Sequence, residues 1–179
     1  MTCRDERRFA TKYSQRGNMM IASTDFQNFK ADFQNAVLCW LATVSDDGTP
    51  NVTPKEMFSW DGGDQIVIAD IASPVTVENI RHHPRICLSF IDVFRQRGFK
   101  ITGKAAIIPS EDERFASLGK TVIRKVNGRF DINNLILVDI DEVSRVLSPS
   151  YFSLPEQNEE EHIRQTLETY SVDRLLYGK

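Results

Sequence analysis

Short apolar runs bounded by turn-forming residues recur along this chain and restrict it to a fold built mostly of β-strands. Residues 37–45 are apolar at both odd and even positions, which is typical of a strand covered on both faces. Residues 85–92 and 99–109 alternate apolar and polar positions, as half-buried strands do. Segments rich in Asp and Gly at 46–48 and 61–64 supply turns between neighbouring runs. Because the first three strands follow one another directly, we expect an antiparallel meander.

Few helical signals interrupt these runs. Ser73 and Pro74 have the pattern of an N-cap followed by proline at the first helical position, and Pro84 ends the segment, which predicts a helix of about two turns. Ser110 and Glu113 have the spacing of a capping box and predict a second helix, ending near residue 128. Many short strands with few helices indicate a mainly β (α+β) protein, an antiparallel barrel with helices packed on it. Gly103 within a strand pattern predicts a bulge or a close backbone approach.

The chain of 179 residues has the length of one domain. Residues 1–20 are polar and crowded with arginine, so we expect a flexible N-terminal tail followed by a single domain over residues 21–179, which includes a C-terminal helix. Met19 and Met20 precede the first patterned segment, and translation from Met1 or from either of them is compatible with the sequence.

Composition excludes several classes of function. A formal net charge of -3 gives no general attraction to nucleic acid, and no apolar run is long enough to cross a bilayer. The cysteines Cys3, Cys39 and Cys87 are odd in number and far apart, which favours a reducing, cytoplasmic location. The histidines and cysteines lack the spacing of metal ligands, so we expect no metal site. Hydrolase, dinucleotide-binding and P-loop motifs are missing.

The start of the helix at Ser73 is the segment best suited to bind an anion. Free N–H groups, the positive end of the helix dipole and the hydroxyls of Ser73 and Thr76 would suit a phosphate. An ordinary N-cap explains the same residues without a ligand. Lys55 could lie near that helix start, and Arg95 with Arg97 could clamp a phosphate or carboxylate, although all three also suit a solvated surface.

Three segments together resemble a known family. They are LATVSDDGTPNVTPK at 41–55, IADIASPVTVENIRHHPRICLSF at 68–90 and RGFKITGKA at 97–105, and the order and spacing of these blocks are similar to those of the pyridoxamine 5'-phosphate oxidase-like FMN-binding split barrels. The resemblance covers about residues 26–147. It implies a six- to seven-stranded antiparallel split β-barrel with flanking helices, and a homodimer with two FMN molecules at the subunit interface, each held by residues of both chains.

The resemblance also implies a set of cofactor-binding residues. The phosphate would lie on Ser73 and Thr76 at the helix start, and Asn79 matches a further position on the same helix. Two strand segments would run beside the ribityl chain and the ring, and a third segment would approach the cofactor from the start of a later strand: Thr53, Pro54 and Lys55; Ala69, Asp70 and Ile71; Arg97 and Gly98.

The chain also departs from the family pattern. Pro74, Val75 and Thr76 stand where the namesake oxidases carry an Arg-Lys pair, and the C-terminal block that binds their substrate is missing, which argues against the namesake reaction. The resemblance implies a flavin-dependent oxidoreductase that acts on an unidentified small molecule. Because no catalytic side chain is evident, a non-catalytic flavin-binding or sensing protein is the alternative. Deazaflavin or haem could replace FMN, and haem is disfavoured because no histidine lies in a plausible axial position.

Overall fold

The computed structural model describes residues 23–153 and 159–172, with seven strands and six helices in those ranges. The expected N-terminal tail at 1–20 lies outside the described residues. The strands are β1 Cys39–Val44, β2 Pro50–Lys55, β3 Phe58–Trp60, β4 Gln65–Asp70, β5 Arg85–Asp92, β6 Arg97–Pro109 and β7 Asn134–Leu147. The helices are α1 Ser23–Asn35, α2 Pro74–His82, α3 Phe115–Leu118, α4 Lys120–Val126, α5 Ser150–Ser153 and α6 Glu159–Thr169.

The seven strands form one antiparallel sheet whose two edges lie close together. Its order is β2-β1-β5-β6-β7-β4-β3, so β2 and β3 are the two edges. Only Glu56 and Met57 separate these edge strands in the sequence, and two residues span at most about 10 Å between the flanking Cα atoms. The sheet must therefore curl until its edges meet, which confirms the antiparallel barrel with seven strands. We call the junction at Glu56 and Met57, where the end of β2 lies close to the start of β3, the seam.

The long strands β6 and β7 form the middle of the sheet. They pair from Arg97 opposite Leu147 to Pro109 opposite Asn134. Their register shifts at Gly103, where Asp141 of β7 has no residue opposite it on β6. Gly103 therefore marks a bulge, as expected. A Cβ atom on Gly103 would lie 2.1 Å from the carbonyl oxygen of Asp139, which explains why the position is glycine.

Aromatic side chains fill the barrel beneath α1. Phe29 of α1 is fully buried, with its ring centroid 5.4 Å from that of Phe90 and 5.2 Å from that of Phe99. Phe33 lies one turn later and packs edge-to-face on Phe58 at 5.1 Å. The apolar stripe of α1 therefore closes one end of the barrel. A second apolar cluster lies between α4 and the strands β4 and β7, with Val122 and Val126 at its centre.

The structure corrects two local expectations. The meander is wrong beyond the first hairpin: β1 pairs with β2, but the segment after β2 breaks at Glu56, and β3 pairs with β4 at the opposite edge. The capping box at Ser110 is also wrong, because the Ser110 hydroxyl bonds to Glu111 and the helix begins only at Phe115. No helix within residues 23–153 or 159–172 has both the length and the apolar character needed to cross a membrane.

Helix α6 is fastened to the barrel through the turn between β5 and β6. Arg95 donates to Asp92 and to Glu159, the first residue of α6, at 2.6 Å each. Arg97 donates to the same Glu159 and to Asp32 of α1. On α6, the buried His162 stacks on Tyr151 with ring centroids 4.8 Å apart. We call the group formed by Asp32, Asp92, Arg95, Arg97 and Glu159 the arginine clasp.

Candidate functional site

The first turn of α2 is held by a carboxylate from the end of β4. Asp70 Oδ1 accepts hydrogen bonds from the backbone N–H of Ser73 at 3.1 Å and from its hydroxyl at 2.6 Å. The Ser73 side chain makes no capping bond of its own, although Ser73 is the N-cap residue as expected. Asp70 is 3% exposed, and its Oδ2 accepts from Asn134 of β7 at 2.8 Å. The carboxylate of Asp70 therefore satisfies the N–H of the N-cap residue.

A buried lysine lies beside this helix start. Lys55 ends β2 and is 7% exposed, and its Nζ donates to the Ser73 hydroxyl at 2.5 Å. Burial lowers the pKa of Lys55, while the nearby carboxylate of Asp70 acts in the opposite direction. An ammonium group has three donors, and Ser73 is the one acceptor that it has among the described residues. Two N–H groups are thus available to a ligand. We call Lys55, Asp70, Ser73 and Asn134 the lysine cluster.

Two further polar layers continue from the lysine cluster along α2. The hydroxyls of Thr53 and Thr76 are 3.1 Å apart and join β2 to the first turn of the helix. One turn later, the buried Asn79 donates to the Thr43 hydroxyl at 3.0 Å. Asn51 of β2 donates to the same hydroxyl at 3.1 Å. The inner face of α2 is therefore bound to the barrel by polar contacts.

A groove of about 530 Å³ opens at the start of α2. Its lining comes from the end of β4, from α2 and from the residues before β7: Asp70, Ile71, Ala72, Ser73, Pro74, Val77, Glu78, Arg81, Asn133 and Asn134. This volume lies within the usual range of small-molecule sites. The lining mixes apolar side chains such as Ile71 and Val77 with hydrogen-bonding groups such as Ser73 and Asn134, which suits an organic ligand that carries polar groups.

The structure brings most of the predicted residues together. Thr53, Lys55, Asp70, Ser73 and Thr76 belong to the contacts just described, and Asn79 joins them through Thr43. The remaining residues at the seam are Pro54, which is exposed, Ala69, which bonds to Met57, and Ile71, whose carbonyl accepts from Asn133.

Two predicted residues lie elsewhere in the described chain. Arg97 belongs to the arginine clasp, where Asp32 and Glu159 are its partners, and Gly98 packs against the backbone of Phe90. Within the part of the chain that the structure describes, neither residue hydrogen-bonds to the lysine cluster. Their role toward a cofactor remains a prediction.

Sequence analysis missed the three polar residues that complete the site. Asn133 and Asn134 precede or begin β7 and reach the end of β4, which is more than 60 residues away in the chain. Thr43 points inward from an apolar strand, where it accepts two amide donors. The only sequence signal for Thr43 was that a residue with a hydroxyl occupies one of the alternating positions of β1 that face the interior. No cluster of potential metal ligands occurs in the part of the chain that the structure describes.

The fold and the site define a class: a small antiparallel split barrel that carries a polar site at the start of a helix beside the seam. The model of the pyridoxamine 5'-phosphate oxidase family matches residues 26–146, about two thirds of the chain. The chain belongs to this family. The stretch Pro74, Val75 and Thr76 separates it from the namesake oxidase. A search of curated proteins found no match.

Solved structures agree with this assignment. HupZ of Group A Streptococcus is 25% identical, with a TM-score of 0.57 over 69% of this chain and 92% of that chain. An FMN-binding protein from Syntrophomonas wolfei is 16% identical, with a TM-score of 0.58 over 70% and 90%. A protein from Clostridium acetobutylicum related to general stress protein 26, of the pyridoxinephosphate oxidase family, is 16% identical, with a TM-score of 0.57 over 71% and 91%. These similarities show the fold.

Proposed function

We propose that this protein binds FMN at the start of α2 and acts as a flavin-dependent oxidoreductase on a small molecule. The observation that carries the proposal is Lys55, a buried ammonium that bonds to Ser73 in the wall of the groove and has two further donors. Family membership supports a flavin, and one protein of the same fold is described as FMN-binding. The free thiols of Cys39 and Cys87 suit a protein of the reducing cytoplasm.

The residues present fit a flavin in their chemistry. The donors of Lys55 and the hydroxyls of Thr53 and Thr76 can bind the polar chain of the cofactor. Ile71, Pro74 and Val77 supply apolar surface for a ring. FMN, when bound, supplies a ring that accepts or donates a hydride.

The chain's own residues position and shield the ligand in this proposal. Lys55 places a positive charge near the groove, and the buried carboxylate of Asp70, linked to it through Ser73, offsets that charge. Binding of an anion would restore the pKa of Lys55, which burial lowers. The bonds of Asn79 and Thr76 to the barrel fix α2, so the groove wall is rigid before the ligand arrives.

A second copy of the chain is the proposed partner. The outward face of β2 and β1 is apolar: Pro50, Val52 and Pro54 are exposed beside Trp40 and Val44. Trp40 is 47% exposed and Val52 is 57% exposed. A contiguous apolar sheet face of this kind marks an interaction site. The face lies on β2, the strand that carries Lys55, so a partner seated there would lie close to the site.

FMN binding tests the proposal directly. Titration of the purified, flavin-free protein with FMN should quench the fluorescence of the flavin with saturation. In the Lys55→Ala variant the affinity should fall by about tenfold or more, since hydrogen bonds to charged groups contribute about 1.5–3 kcal/mol. Lys120→Ala, which removes an exposed lysine remote from the groove, is the matched control. Equal affinity in all three proteins would remove Lys55 from the site.

The reaction is tested separately from binding. The FMN-loaded protein should lose its flavin absorbance under anaerobic NADH or NADPH and recover it with an acceptor. Bound flavin that no donor reduces would favour the non-catalytic flavin-binding or sensing protein instead.

The homodimer is tested by sedimentation. Trp40→Glu should convert a dimer into a monomer, because it places a charge in the apolar sheet face. Phe130→Glu, which alters a side chain that is also about half exposed but lies after α4, should leave the dimer intact. A wild-type monomer at all concentrations would reject the proposed partner.

A further inference from the structure

Asp70 binds the N-cap residue of α2, beside which an incoming phosphate would lie. The backbone N–H and the hydroxyl of Ser73 both donate to Asp70 Oδ1, at 3.1 and 2.6 Å. The other N–H groups of the first turn of α2 are those of Val75 and Thr76, since Pro74 has none, and they are not bonded to Asp70. The carboxylate therefore places a buried negative charge of the protein beside the donors that a phosphate at the helix start would use.

The charges of the lysine cluster cancel. Lys55 is its one cation and Asp70 its one anion, and both are more than nine-tenths buried. The other charged residues that line the groove are Glu78 and Arg81, which form an ion pair at 3.9 Å. Asn134 adds an uncharged donor to Asp70 Oδ2. A phosphate entering this cluster would meet a buried negative charge next to the positive one.

The geometry points to Asp70 as the residue that determines how strongly the site prefers a charged ligand to an uncharged one. Its carboxylate limits what a phosphate contributes to binding. The site therefore holds the flavin mainly by its ring and ribityl chain and distinguishes FMN only weakly from riboflavin. This inference rests on the proposed flavin site. It assigns to Asp70 a role in specificity toward the ligand, in addition to its structural contact with Ser73.

A set of three variants tests this role through binding alone. Asp70→Asn keeps an oxygen for Ser73 and leaves the cluster positive, Lys55→Met leaves it negative, and the double variant is neutral like the wild type. The measured quantity is the ratio of FMN to riboflavin affinity in the flavin-free protein. The wild-type ratio should be close to one. Asp70→Asn should raise it by about tenfold or more, as a buried unit charge a few ångströms away requires, because FMN gains more affinity than riboflavin.

The double variant distinguishes charge from local distortion. Its ratio of FMN to riboflavin affinity should return to the wild-type level. The double variant should also be more stable than either single variant, because it buries no unpaired charge. Asn134→Ala, which removes the other hydrogen bond of Asp70 but keeps its charge, should leave the ratio unchanged. An unchanged ratio in Asp70→Asn, or a raised ratio in the double variant or in Asn134→Ala, would overturn the inference.

Inorganic phosphate separates this inference from the proposed function. Phosphate should raise the thermal midpoint of Asp70→Asn and leave that of the wild type unchanged. If no flavin binds any variant but this difference is seen, the proposed function fails and the role of Asp70 stands. If no flavin binds and phosphate stabilises neither protein, or both equally, the inference on Asp70 is wrong as well.

Discussion

At the residue scale, Gly98 shows that a position can match a family's cofactor segment and still be fixed by packing. A Cβ atom at Gly98 would lie 2.0 Å from the carbonyl oxygen of Phe90 on the neighbouring strand. No side chain fits at that distance without movement of the β5–β6 pair. The need for glycine here is therefore a property of the sheet, whatever the cofactor does.

Gly98→Ala should accordingly destabilise the protein by about 1–3 kcal/mol, the usual cost of overpacking a tight interior. Gly63→Ala is the control, because the nearest atom to its Cβ would be Asp61 Oδ1 at 3.6 Å. Chemical denaturation of the two variants and the wild type measures the difference. Equal midpoints for the two variants would show that the strands adjust to a methyl group.

Two buried carboxylates of the arginine clasp should respond to pH in opposite directions. Burial raises the pKa of Asp32 above its ordinary value, although the charge of Arg97 lowers it. Burial also acts to raise the pKa of Asp92, but hydrogen bonds from Arg95 outweigh it and the pKa is lowered. The stability that Asp32 contributes is thus present below its ordinary pKa and lost as the pH rises through the raised value. The contribution of Asp92 is present above its ordinary pKa and lost as the pH falls through the lowered value.

Urea unfolding of Asp32→Asn and Asp92→Asn between about pH 3 and pH 7, across the ordinary range of aspartate, measures this contrast. The stability of the wild type relative to Asp32→Asn should fall as the pH rises. Relative to Asp92→Asn it should increase over the same range. Parallel curves for the two variants would contradict the assignment of the two environments.

At the scale of elements, two residues of α6 attach it to the segment around the β5–β6 turn: Glu159 carries the ion pairs, and Thr166 accepts a hydrogen bond from Gln96. Glu159 accepts from both Arg95 and Arg97 and is about one-third exposed. Glu159→Ala should cost about 1 kcal/mol, less than the full value of a charge-assisted bond because solvent screens the pair. Hydrogen exchange should accelerate in α6 and in the turn at 93–96.

Glu168→Ala is the control for this element, since Glu168 lies near the end of α6 and pairs with the exposed Arg164. It should leave the exchange of the turn at 93–96 as in the wild type. Faster exchange at the turn in both variants would mean that the charge of α6, rather than the clasp at Glu159, holds the helix.

Local patterns predicted which segments form strands but not which strands become neighbours. The alternation in β5 and β6 and the turn at Gly48 depend on residues that are close in sequence, so the strands and the first hairpin were predictable. The break after Lys55 that sends β3 to the other edge depends on β4 and β7, which offer partners far along the chain. The site follows the same rule. Ser73 was predictable because a proline follows it directly, as at many helix starts. Asn134 was not, because it bonds to Asp70, which lies 64 residues away in the sequence.

At the scale of the whole molecule, the candidate site lies where the two sheet edges meet. Lys55 comes from the edge strand β2, while Asp70 and Ser73 come from the end of β4, and the link Glu56-Met57 fixes the distance between these two parts. Met57 is itself tied to β4, because its carbonyl accepts the N–H of Ala69 at 2.8 Å. Closure of the barrel thus positions the ligand groups.

Insertion of two glycines between Glu56 and Met57 should therefore weaken FMN binding strongly while costing little stability, since lengthening a loop costs only about 0.6 kcal/mol per doubling. The same insertion between Gly62 and Gly63, in the exposed turn before β4, should leave FMN affinity unchanged. Titration and thermal unfolding of both variants provide the measurement. Intact binding after the first insertion would show that Lys55 is positioned by α2 alone.

The place of β7 in the sheet governs how the chain can fold during its synthesis. This strand lies between β6 and β4, and it is the last strand of the sheet to leave the ribosome. Until residues 134–139 have emerged, β3 and β4 have no ladder hydrogen bonds to the rest of the sheet, and β6 exposes an open edge. For most of its translation, the nascent chain therefore exposes unpaired strand edges that can pair with other chains. Chaperone binding should end when β7 appears.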